Sequence, residues 1–79
     1  MARESNKYQI LDIYTAAFLY LHGFEPGLGK WGNRVFFEFP VDKQVEKLMA
    51  KYNQNAQVNV LDYTSLVRRL RSQMLSMRE

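Results

Sequence analysis

The segment Gly27-Leu28-Gly29-Lys30-Trp31-Gly32 reproduces, letter for letter, the G-x-G-x-x-G spacing of dinucleotide sites. That spacing holds a pyrophosphate only where the glycines leave a strand and open a helix whose first amides face the phosphates. Here strand-like runs stand on both sides, Phe24 to Leu28 before and Arg34 to Phe39 after. The glycines therefore read as a turn between strands, where positive φ carries no steric penalty. The chain is also too short for the doubly wound sheet that a dinucleotide requires. A phosphate-binding lysine loop fails as well, since no Gly-Lys-Ser or Gly-Lys-Thr occurs.

His22 is the only histidine and cysteine is absent. A metal site or a nucleophile with its base would need a second histidine, cysteines or converging carboxylates. His22 reads instead as the end of a helix, where an imidazole complements the helix dipole. Ser5, Ser65, Ser72 and Ser76 have no evident base, and the eight carboxylates are scattered with no pair set for proton transfer. The residues thus predict no catalytic group, no cofactor and no metal, and binding is expected rather than catalysis.

Charge is the more informative chemistry. The net +3 lies wholly beyond Pro40, where Lys43, Lys47, Lys51, Arg68, Arg69, Arg71 and Arg78 face only Asp42, Glu46, Asp62 and Glu79. Lys43, Lys47 and Lys51 recur every fourth residue, which on a helix turns each only about 40° from the last. They form a ridge that could bind phosphates by releasing counterions, and a pI near 9.4 agrees with a nucleic-acid partner. The same row on the outer face of an amphipathic helix can serve solubility alone. Trp31, flanked by Lys30 and Arg34 with Phe36 nearby, is a candidate platform for stacking unpaired bases, with packing within the chain or contact with another subunit as its other readings.

The elements that must position these residues follow from periodicity. Tyr8 to Leu11 reads as a short strand or extended entry, and Asp12 caps a helix over about 13–22, with Gly23 just past its end. Phe24 to Leu28 and Arg34 to Phe39 make a hairpin with a long loop, and the pleat places Val35, Phe37 and Phe39 on the helix side. Val41, Val45, Leu48, Met49 and Tyr52 mark a second helix. A third begins near Asn59 or Asp62 and carries Tyr63, Leu66, Val67, Leu70, Met74 and Met77 at helical spacing. The expectation is one α+β domain over residues 1–79, in the order β-α-β-β-α-α, with a small antiparallel sheet covered on one face by three helices. Residues 1–7 read as a polar arm.

This layout resembles an uncharacterised group of small prokaryotic domains of unknown function. The residues that carry the likeness are Asp12-Ile13-Tyr14-Thr15-Ala16-Ala17-Phe18-Leu19, His22-Gly23-Phe24, Asn33-Arg34-Val35-Phe36-Phe37-Glu38-Phe39, Lys51-Tyr52 and the stretch from Tyr63 to Leu70. The resemblance implies a fold and no activity.

A chain of 79 residues with 47% hydrophobic and 14% aromatic residues folds, but one small core supplies limited stability without disulfides or metal. The first helix is apolar nearly all round, so it must be covered on most sides. Phe18, Leu19 and Phe36, with Leu75 on the third helix, are therefore expected to stay exposed on a monomer and to drive a homodimer or a protein contact. A protein-binding or oligomerisation adaptor is the first expectation, and a small nucleic-acid-binding accessory protein the second. The cytosol is expected, because exported domains of this size commonly carry disulfides and no apolar run reaches membrane-span length.

Overall fold

The computed structural model describes residues 7–77, as β1 (Lys7–Ile10), α1 (Ile13–Leu21), β2 (Gly27–Trp31), β3 (Arg34–Pro40), α2 (Lys43–Asn53) and α3 (Val60–Met77). The α+β class and the order of elements are those expected. Of the predicted arm, residues 1–6 lie outside the described residues. Lys7 belongs instead to β1, opposite Pro40.

The sheet is antiparallel in the order β1-β3-β2. β3 takes the centre, pairing with β1 along one edge and with β2 along the other. Phe37 and Phe39 turn toward the helices and are fully buried, with Val35 nearly so, while Phe36 turns the other way and is buried too. Ile10 and Leu28 stand opposite Phe37, one on each side, and Tyr8 stands opposite Phe39, so the core face continues across the sheet.

β2 starts three residues later than its pattern suggests, and the expected long loop is a two-residue turn at Gly32 and Asn33. Phe24 cannot join the ladder because its amide donates to the Leu19 carbonyl at 3.0 Å, and Pro26 has no amide hydrogen. Gly32 has φ of +59° at the first central position, which a tight hairpin of this kind demands.

α1 opens on Asp12, whose side chain accepts from the Tyr14 amide at 3.1 Å and from the Thr15 hydroxyl at 2.7 Å. It closes on Gly23 at φ +101°, where the Gly23 and Phe24 amides bond the Tyr20 and Leu19 carbonyls. This paired arrangement satisfies two carbonyls that the helix leaves free. α1 lies between α2 and α3, packed on both, and these two barely touch each other. Ala16 and Ala17 allow it close to the sheet, and Val45, Val67 and Leu70 complete the core from either side.

Candidate functional site

α2 presents its cations as the spacing predicts. Asp42 caps it by accepting from the Gln44 amide at 2.7 Å, which fixes the first turn, and Val45 anchors the opposite side at zero exposure. Lys43, Lys47 and Lys51 are all exposed. Successive lysines are about 6 Å apart along the axis. The helix's one carboxylate, Glu46, is turned toward the sheet edge, where it accepts from the Tyr8 hydroxyl at 2.7 Å. That bond, ahead of burial and the carboxylate's charge, pushes the Tyr8 hydroxyl above its ordinary range.

Between the end of α1 and α2 lies an open cleft of about 290 Å³, lined by His22, Phe24, Gln44, Lys47, Leu48 and Lys51. Its lining contains no carboxylate. Phe24 and Leu48 pack against the core and form the floor. His22 is held against the buried Phe18 ring, with ring centres 4.6 Å apart and planes tilted by 57°. Periodicity marks Lys47 and Lys51 but not this concavity. Its one trace in the sequence is the His22-Gly23-Phe24 helix ending, which turns two rings toward α2.

The remaining predicted contact residues are not brought together. Arg68, Arg69 and Arg71 are exposed on α3, across α1 from the lysines. Two of them engage α1 tyrosines: Arg69 lies over the Tyr20 ring at 5.9 Å, and an Arg71 nitrogen is 3.5 Å from the Tyr14 hydroxyl. Trp31, half exposed, stands on the sheet face away from the helices, against Phe36 at 4.9 Å between ring centres. The lysine ridge, the arginines and the tryptophan thus occupy three separate surfaces.

Three of the four residues expected to be exposed for self-association are enclosed. Phe18 is 1% exposed, Leu19 0% and Phe36 8%. Phe18 is covered by Tyr52 of α2, with ring centres 5.4 Å apart, and by His22. Leu19 is sealed by the core. The far edge of the Phe36 ring occupies the space that a side chain at Gly29 would fill. Leu75 alone stays exposed, at 53%.

Tyr63 donates to the Tyr14 carbonyl at 2.9 Å, and burial, followed by the neighbouring Tyr52 hydroxyl, raises its pKa to about 12. Among the described residues, no group of three or more His, Cys, Asp and Glu could hold a metal ion, and no helix is long and apolar enough to cross a membrane.

No curated protein and no solved structure matches the chain. A family model does, over residues 5–76. Its match spans every element from β1 to α3 except the last residue of α3, and by it the chain belongs to the family described as Domain of unknown function (DUF5659).

Proposed function

We propose that this domain is a non-catalytic binding module whose α2 engages the phosphate backbone of a nucleic acid. The observation that carries the reading is the row of Lys43, Lys47 and Lys51, all exposed, two of them on a cleft without a carboxylate. Three point charges along one side of a rigid helix meet successive phosphates and release their counterions. The adaptor reading is weaker by comparison, because Phe18, Leu19 and Phe36 are spent inside the chain.

Titration of a fluorescent oligonucleotide by anisotropy tests this. Three phosphate contacts predict a loss of about 20- to 40-fold in affinity between about 50 and 200 mM salt. Changing Lys43, Lys47 and Lys51 together to Ala is expected to abolish binding at the lower salt while leaving the thermal melt nearly unmoved. Unchanged affinity in that variant, or no binding by the wild type at low salt, would sink the proposal.

A further inference from the structure

Resting on that reading of α2, we infer that the adjoining cleft is a pocket for one unpaired nucleobase, which makes the module prefer single strands to duplex. Its volume of about 290 Å³ is at the small end of ligand pockets, which begin at roughly 300 Å³. One ring system fits; a dinucleotide does not.

The lining suits a base and not merely an anion. Phe24 brings an aromatic ring to the cleft wall and Leu48 an apolar side chain, both packed against the core behind them. The bond from the Phe24 amide to the Leu19 carbonyl fixes the Phe24 backbone, and the contact with Phe18 holds the His22 ring, before any ligand arrives. Gln44 brings a carboxamide with both donors and an acceptor, the complement that a base edge requires. Lys47 and Lys51 line the same cleft and reach the flanking phosphates. Stacking on an aromatic ring tolerates any base, because every base has a π-face. A duplex keeps those faces stacked and can offer the helix only its backbone.

A free nucleotide shares this chemistry, but the ridge argues for a strand. Lys43 extends the row of cations one helical turn beyond Lys47 and does not line the cleft. A mononucleotide would leave it unmet, whereas the next phosphate of a strand would not.

The test compares three probes at low salt: a single-stranded oligonucleotide, its duplex, and an abasic strand of the same length. A mononucleotide serves as competitor. The base-bearing strand is expected to bind about tenfold tighter than the abasic strand or the duplex. Phe24→Leu and His22→Ala should each lower its affinity toward the abasic level without altering abasic binding, and the mononucleotide should compete only weakly. His22 is exposed, so its variant decides the matter if Phe24→Leu unfolds. Equal binding of abasic and base-bearing strands, or variants that keep the full difference, overturns the pocket and leaves the lysine ridge standing. A mononucleotide that competes as well as the strand overturns the preference for strands. Failure of all three probes overturns the ridge, and the pocket with it.

Discussion

Alanine at position 29 would ordinarily be expected to help this protein. Gly29 lies inside β2 and is not among the residues of positive φ, so alanine fits its backbone, and loss of glycine's freedom in the unfolded chain would add about 0.4–1 kcal/mol. The structure reverses the sign. A Cβ built at Gly29 would be 2.3 Å from Cζ of Phe36 and 2.7 Å from Cε1, so the ring must leave. Exposing a buried phenylalanine forfeits about 1.5–3 kcal/mol, and losing its contact with Trp31 about 0.5–1.5 more. A partial shift, with the ring wedged, costs about 1–3 kcal/mol. The net expectation for Gly29→Ala is a destabilisation of about 1–2 kcal/mol, or roughly 5–15 °C in Tm for a domain of this size. Thermal and urea melts followed by circular dichroism and by the fluorescence of the sole tryptophan would measure it. The decisive control is the same change in a Phe36→Ala background, where the penalty should vanish. A Gly29→Ala protein as stable as wild type, or one destabilised equally with and without the Phe36 ring, would refute the reasoning.

Two further changes test the cap and the tyrosine. Asp42→Ala removes the acceptor for the Gln44 amide and should cost about 0.5–2 kcal/mol in urea melts. Asp42→Asn keeps the cap and removes an acid beside Lys43, so it should leave stability within about 1 kcal/mol of wild type and tighten oligonucleotide binding at low salt; weaker binding would count against the ridge. Tyr63 has a folded pKa raised from 10.0 to about 12, so the folded state holds its proton more tightly than the unfolded one. Its contribution is complete below pH 10 and is lost as pH rises from 10 through 12. Tyr63→Phe should therefore flatten the fall in stability over that range, while losing about 0.5–1.5 kcal/mol at neutral pH with the bond to the Tyr14 carbonyl. An alkaline profile identical to that of wild type would contradict this.

Elements whose signals are local could be read from the residues. Alternation along β3 assigned Phe37 and Phe39 to the helices, because a pleat leaves no other choice once one face is buried. Gly23 marked the end of α1, and fourfold spacing put the lysines in a row. What failed was pairing between strands. A β2 placed at residues 24–28 gives Phe36 the wrong neighbour, and only the true register sets Gly29 opposite it. The cleft was hidden for the same reason, since it joins residues 22 and 24 to residues 44–51 across a contact between helices that periodicity does not encode.

The case of α1 reaches further, into function. An all-round apolar helix must be covered, but its pattern is the same whether the cover comes from its own chain or from a second one. Here the middle place in a three-helix layer and a sheet beneath supply the whole cover for Phe18 and Leu19. Among the described residues, the large apolar residues left exposed are Leu11 and Tyr14 at the start of α1, Val41, Val60, Leu61 and Leu75 at or near the ends of the other helices, and Trp31 at the hairpin tip. Exposed residues scattered in ones and twos like these are ordinary on monomers. With its greasy surface largely internal, the domain's distinctive exterior is the cation row of α2 and the ring-lined cleft beside it. That moves the weight from association through apolar contact to recognition of a charged chain, and the two differ in how they respond to salt.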